Sequence, residues 1–169
     1  AIDALIADGH VRAGSRVDLV HSGVAVAVRA GTPQPALRDA ADVRAAVLAA
    51  PTIGFSTGPS GVELVKLFTA WGLGEHLAAR TVTAPPGVPV GALVADGRVA
   101  LGFQQLSELM GLAGIDVVGP LPPDVQITTT FSAGIAAAST QPEAARALIA
   151  HLAAPAAADT KRRHGMEPA

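Results

Sequence analysis

Apolar side chains recur along this chain with two different periods. Spacings of three and four residues predict helices, and β-branched or continuously apolar runs predict strands. From residue 51 onward the order strand, loop, helix repeats, which favours an α/β fold with a largely parallel sheet. The predicted helices cover 1–7, 39–49, 62–71, 75–80, 88–95, 107–112, 141–152 and 155–164, and the predicted strands cover 17–28, 52–55, 81–83, 99–105, 115–118 and 127–138.

Two long segments rich in Val, Ala and Ser flank this repeating block and resemble each other. They are 17–28 and 128–139. Two such strands on either side of an α/β block could cross between a pair of lobes, so the pattern is compatible with a two-lobed chain.

Composition excludes several classes of protein. Half of the 169 residues are hydrophobic and the mean hydropathy is +0.42, which excludes intrinsic disorder. The net charge of −2 lacks the basic excess of nucleic-acid-binding domains, so we expect no nucleic-acid partner. The absence of cysteine excludes disulfides and thiolate chemistry. No apolar run approaches the length of about 18 residues that indicates a membrane span.

The loop Ser56-Thr57-Gly58-Pro59-Ser60-Gly61 is the first candidate site, because it joins a predicted strand to a predicted helix. Ligands of open α/β sheets bind beyond the carboxyl ends of strands, and a helix N-terminus offers N–H groups to an anion. Ser56, Thr57 and Ser60 add hydroxyls, and Gly61 lets the backbone approach closely. An ordinary helix cap by Ser60 or Thr57 explains the same residues. A P-loop is excluded, because no Gly-Lys-Ser/Thr ending follows.

Two further candidates follow later strands. The run Pro85-Pro86-Gly87-Val88-Pro89-Val90 repeats the geometry of the first loop, although Pro89 also fits a simple first-turn proline. Gln104 and Gln105 close the strand over 99–105, where two amides can hydrogen-bond a ligand. A solvated strand end explains the two glutamines equally well.

No metal or catalytic cluster is indicated by the spacing of the ionisable residues. The five histidines lack the spacing of metal ligands, and no Ser, His and Asp group is suggested locally. Most carboxylates stand near an arginine, as Glu143 does near Arg146, which is typical of solvated helix faces. We therefore expect no catalytic residues, no metal and no cofactor.

Five stretches have a familiar pattern: SGVAVAVRAGTPQP, IGFSTGPSGVELVKLFTAWGL, GALVADGRVALGFQQLSEL, IDVVGPLPPDVQ and the C-terminal FSAGIAAASTQPEAARALIAHLAAPAAADTKRRHGMEPA. In them the chain resembles the solute-binding proteins of bacterial ABC importers, in particular the molybdate-binding-like branch of the type II periplasmic binding proteins. The C-terminal stretch is the most specific, and the likeness covers nearly the whole chain.

The resemblance implies a two-lobed type II fold, with mixed, mostly parallel sheets flanked by helices and the ligand in the cleft. Lobe 1 would comprise 1–28 and 127–169, and lobe 2 would comprise 29–126. In such relatives hydroxyls and backbone N–H groups hold a tetrahedral oxyanion. The ligand-binding residues implied or suggested here are Ser56, Thr57, Ser60, Gly61, Val88, Val90, Gln104 and Gln105.

The chain departs from the family pattern in two places. Gln105 stands where some relatives have a tyrosine, and the chain has no tyrosine, so the resemblance does not extend to molybdate itself. An amide both accepts and donates hydrogen bonds, which also suits a protonated oxyanion or a small carboxylate. The family's opening βαβ unit has no counterpart before Ala1, so we expect lobe 1 to be incomplete. An incomplete lobe would expose a sheet edge and an apolar face, through which the chain would form oligomers.

The expected function is that of a periplasmic or otherwise extracytoplasmic solute-binding protein, whose signal peptide is not in this chain. It would capture a small anion, either a molybdate-like oxyanion or a small carboxylate, in the cleft between the lobes and present it to an ABC permease in the membrane, without being an enzyme. Two alternatives remain open. One is a ligand-sensing effector domain of a transcriptional regulator. The other is a small enzyme on the same scaffold, such as a hydrolase or isomerase that uses Glu63, Glu108 or a histidine.

Overall fold

A computed structural model describes all 169 residues of the chain. Short 3₁₀ turns occupy Pro123–Val125 and Pro155–Ala157. The helices are α1 Ile2–Ala7, α2 Ala40–Ala49, α3 Pro59–Ala70, α4 Gly74–Ala78, α5 Val90–Ala95, α6 Leu106–Leu109, α7 Pro142–Ala153 and α8 Ala158–Arg163. The strands are β1 Val17–Arg29, β2 Ile53–Ser56, β3 Thr81–Ala84, β4 Leu101–Gln105, β5 Ile115–Pro120, β6 Thr128–Ala133 and β7 Glu167–Pro168.

Most predicted elements are present, and the differences lie at their ends. Helix α3 begins at Pro59, which is favourable in a first turn, so the predicted loop is shorter. Helix α5 begins at Val90 rather than at Val88, because a residue before proline is driven out of the helical region. The strand predicted over 127–138 ends at Ala133, and the two-residue strand β7 was not predicted.

The chain divides into two compact units. Unit 1 comprises Ala1–Ser22 and Thr130–Ala169, and unit 2 comprises Gly23–Thr129. The chain passes from one unit to the other within β1 and near the start of β6. The division into two functional lobes stays a prediction. In it, lobe 1 comprises 1–28 and 127–169, and lobe 2 comprises 29–126.

Unit 2 contains a mixed sheet in the strand order β3-β2-β4-β1-β5. Strand β2 pairs parallel with both β3 and β4, whereas β1 pairs antiparallel with β4 and β5. The expected α/β architecture with a mixed sheet is confirmed. Because parallel strands end at one edge of a sheet, Ser56, Ala84 and Gln105 mark a common edge in unit 2.

The two faces of this sheet form separate apolar layers. Val24, Val26 and Val28 of β1 join the larger cluster, which includes Phe103 and side chains of α2 and α3. Ala25 and Ala27 point to the opposite face, as the period of two in a strand requires. Phe103 is 1 % exposed, and its ring centroid lies 5.6 Å from that of Phe68 in an edge-to-face contact. The aromatic side chains are thus concentrated in the core of unit 2.

Unit 1 buries much less apolar surface. Its buried hydrophobic residues are Val20, Ile135 and Ile149. The C-terminal strand β7 pairs antiparallel with β1, and Lys161 Nζ donates to the Leu19 carbonyl at 2.8 Å. Leu148 on α7 remains exposed. None of the helices in the chain is both long and apolar enough to cross a lipid bilayer.

Candidate functional site

A cavity of about 500 Å³ opens at the edge of unit 2 where β2, β3 and β4 end. We call it the edge pocket. Its walls are 56–58 after β2, 84–89 after β3, and the side chains of Gln104 and Glu108 at and beyond the end of β4. Its volume suits a small ligand. The pocket lies where ligands of open α/β sheets bind.

The wall after β2 leads directly into the first turn of α3. Ser56 Oγ accepts a hydrogen bond from the Gly58 N–H at 3.3 Å, and the Val62 N–H donates to the Gly58 carbonyl at 3.2 Å. Pro59 has no N–H, and helix geometry gives the N–H groups of Ser60 and Gly61 no acceptor within the helix. On this side the cavity is lined by 56–58, and the N–H groups of Ser60 and Gly61 lie next to it in the first turn of α3 without lining it.

Gly61 allows an unusually close approach of α3 to β2. A Cβ atom at this position would lie 1.8 Å from the Ser56 carbonyl oxygen, so no side chain fits without a shift of the backbone. We expect Gly61→Ala to lower the free energy of unfolding by about 2 kcal/mol or more, since backbone cannot yield as a side chain can. Urea denaturation measures this change.

The matched control is Gly74→Ala. Gly74 begins α4 and a Cβ there meets only Thr69 Oγ1 at 3.8 Å, so this variant should be neutral or slightly stabilising. Equal stability of the two variants would show that the contact between Gly61 and Ser56 is not as close as described.

The wall after β3 is poor in donors, although Gly87 carries an N–H that has no partner within the chain. Pro85, Pro86 and Pro89 lack an N–H group, and the Val88 N–H donates to the Pro85 carbonyl at 3.0 Å. Val88 therefore lines the edge pocket with its N–H already engaged. Its assignment as a ligand contact stays a prediction.

Gln104 connects the end of β4 to α5. Its side chain is 6 % exposed, and Oε1 accepts a hydrogen bond from the Val90 N–H at 2.8 Å. Gly102 makes this approach feasible, because a Cβ there would lie 2.5 Å from Val94 Cγ2 of α5. Gln104 Nε2 donates to Glu108 Oε2. Val90 is buried as well. Val90 and Gln104, both predicted from the sequence as ligand contacts, thus form a hydrogen bond with each other.

Gln105 points to the other face of β4 and does not line the edge pocket. It is 4 % exposed, its Nε2 donates to Thr129 Oγ1 at 2.7 Å, and its Oε1 is buried without a hydrogen-bond partner. Of the eight candidate residues, the structure brings Ser56, Thr57, Val88 and Gln104 together around one cavity.

Glu108 is the charged side chain of the edge pocket, and it forms no ion pair. Glu63, the other carboxylate considered for an enzyme, pairs instead with Lys66 Nζ at 2.7 Å. No periodic signal in the sequence links Gln104 to Glu108, because Gln104 belongs to strand β4 and Glu108 to helix α6. No histidine, lysine or arginine lines the pocket.

Two carboxylates elsewhere in unit 2, Asp42 and Asp96, are held by arginines. The hydrogen bond from Arg38 keeps the pKa of Asp42 below its ordinary value, and the hydrogen bond from Arg98 does the same for Asp96. No cluster of three or more His, Cys, Asp or Glu side chains is placed to hold a metal ion. The chemistry available in the edge pocket is therefore that of neutral donors and one carboxylate.

Comparison with known proteins relates the chain to a family. The family model described as bacterial extracellular solute-binding protein matches residues 1–167. An aconitate isomerase from Pseudomonas sp. is 41% identical over 169 residues, which is 99% of this chain and 64% of that protein. The chain thus spans less than two thirds of the length of this relative.

Solved structures share the fold. The periplasmic molybdate-binding protein of Azotobacter vinelandii has a TM-score of 0.74 at 23% identity, over 98% of this chain and 73% of that one. A substrate-binding domain assigned to a molybdenum ABC transporter of Clostridium difficile has a TM-score of 0.76 at 17% identity, over 99% and 72%. The chain belongs to the family of bacterial extracellular solute-binding proteins and has their type II fold.

Proposed function

We propose that this chain is an extracytoplasmic solute-binding protein of an ABC importer whose edge pocket binds a small di- or tricarboxylate for a membrane permease. The observation that carries the proposal is the edge pocket itself, where the first turn of α3 and Thr57 supply neutral donors at the end of three parallel strands. Hydroxyl and backbone N–H donors of this kind suit an anionic oxygen. Thr57 is assigned as a ligand contact that lines the pocket, and Ser60 and Gly61, which lie behind it in the first turn of α3, are assigned as contacts of a ligand oxygen that reaches this turn.

Glu108 favours a carboxylate over a fully deprotonated tetrahedral oxyanion. Molybdate carries its charge over all four oxygens, so an oxygen turned toward Glu108 would be repelled. A carboxylate ligand confines its charge to its ends and can present a C–H or O–H group to Glu108. The 41% identity to an aconitate isomerase supports a tricarboxylate as the first ligand to test.

Isothermal titration of the chain with trans-aconitate, citrate, succinate and molybdate tests this proposal. We expect at least one carboxylate to bind with a Kd in the micromolar range and to raise Tm, with molybdate much weaker. Binding of molybdate alone, or of none of the four, would contradict the proposal.

Ser60→Ala should weaken carboxylate binding by about 1–3 kcal/mol, because a hydroxyl donor to a charged oxygen is lost. The same titration measures the change. Thr69→Ala is the control, since Thr69 lies at the far end of α3 and its hydroxyl donates to the Val65 carbonyl at 2.7 Å. Unchanged affinity in Ser60→Ala would remove Ser60 from the site.

A second candidate function is the isomerisation of aconitate, and two observations favour it. The identity to the Pseudomonas protein is one, and an unpaired carboxylate in the pocket is the other. Moving the double bond of aconitate requires a base that takes a proton from the allylic methylene carbon. A proton then returns to the far carbon of the allyl system, so atoms and electrons balance without a co-reactant. Glu108 is the residue we assign as this base.

A further inference from the structure

The orientation of the Gln104 amide is fixed by its neighbours. The Val90 N–H can only donate, so the amide atom that faces it at 2.8 Å must be the oxygen Oε1. The amide nitrogen of Gln104 then faces Glu108 as a donor. Exchange of the two amide atoms would leave two donors opposed at Val90. Glu108 Oε2 is therefore held as a hydrogen-bond acceptor.

In the edge pocket, donors and the acceptor Glu108 stand on different walls. Donors stand on the wall after β2, where Thr57 and the first turn of α3 are located. The acceptor Glu108 stands beyond the end of β4, which is the neighbouring strand in the sheet. The wall after β3 is poor in donors, because three of its residues are prolines, and Gly87 is the lining residue there that carries an N–H without a partner. A ligand that satisfies both polar walls needs an anionic end and a separate donor.

Resting on the proposed function, we propose that Gln104 is a specificity-determining positioning residue that makes the edge pocket select hydroxycarboxylates over carboxylates without a hydroxyl. Gln104 ties Glu108 to α5, and Glu108 then accepts a hydrogen bond from the ligand hydroxyl while the ligand carboxylates meet the α3 donors. A ligand that lacks the hydroxyl forms no hydrogen bond with the oriented carboxylate and therefore binds more weakly.

Citrate and tricarballylate form the test pair, because they carry the same three carboxylates and differ by one hydroxyl group. Isothermal titration of the wild-type chain should give citrate about tenfold or more tighter binding. In Gln104→Met we expect this preference to fall to about twofold, because Glu108 loses its orienting donor. Gln34→Met is the control, since Gln34 is exposed on the connector before α2, and it should keep the wild-type preference.

Glu108→Met is the second variant, which serves if Gln104→Met does not fold, because Glu108 is exposed and its replacement leaves the buried layers intact. It should also lose the preference for citrate. Equal affinity of the wild type for both ligands would overturn the inference while the proposed function stands, as would an undiminished preference in folded Gln104→Met. Absence of binding by both ligands would overturn this inference, and absence of binding by trans-aconitate and succinate as well would overturn the proposed function.

Discussion

Glu108→Gln is expected to reduce aconitate isomerisation by at least about a hundredfold in kcat, if the chain catalyses this reaction. General-base catalysis by a positioned side chain contributes about 10²–10⁴-fold, and an amide cannot accept a proton from carbon. Substitution of an exposed side chain leaves the fold intact. The ligand should still bind, so the loss falls on kcat rather than on KM. The absorbance change between the aconitate isomers provides the assay.

Glu63→Gln is the matched control for this experiment. Glu63 is also an exposed carboxylate of unit 2, but it pairs with Lys66 and does not line the edge pocket. Its activity should equal that of the wild type. Full activity in Glu108→Gln would show that Glu108 is not the base, and a wild type without activity would leave solute binding as the function.

Phe103→Ala is expected to lower the free energy of unfolding by about 3–5 kcal/mol, because it leaves a cavity in the larger apolar layer. Phe103 is 1 % exposed at the centre of β4 and contacts Phe68 edge to face. The loss corresponds to a decrease of about 6 °C or more in Tm for a chain of this size. Urea denaturation with an unchanged m-value measures it.

Phe131→Ala provides the comparison for this stability measurement. Phe131 lies on β6 with 43% of its surface exposed, so its removal should change stability by less than about 1 kcal/mol. Similar losses in both variants would contradict the description of Phe103 as a core residue and of Phe131 as a surface one.

The fold was largely predictable because its signals are local. Val24, Val26 and Val28 alternate with small residues, which specifies a strand with one large apolar face. Prolines at the starts of α3 and α7 mark helix beginnings. Strand β7 was not predicted because two residues carry no period, and its pairing with β1 is decided by the fold.

The location of the candidate site was also predictable, whereas its hydrogen bonds were not. A loop between a strand and a helix identifies the edge of the sheet from sequence alone. The bond between Val90 and Gln104 joins residues that are 14 positions apart, and no local pattern shows that the Val90 N–H is already used. The close approach at Gly61 is likewise a property of packed elements. Glu108 gains its place in the site only when β4 and α5 meet.

The central claim is that a small carboxylate binds in the edge pocket of unit 2. Titration of the isotope-labelled chain with citrate, followed through its backbone amide resonances, tests this claim most directly. We predict saturable shifts that are largest at Thr57, Ser60 and Gly61, with little change in the amides of α7. Saturable shifts confined to another part of the chain, or no shifts at millimolar citrate, would contradict the account.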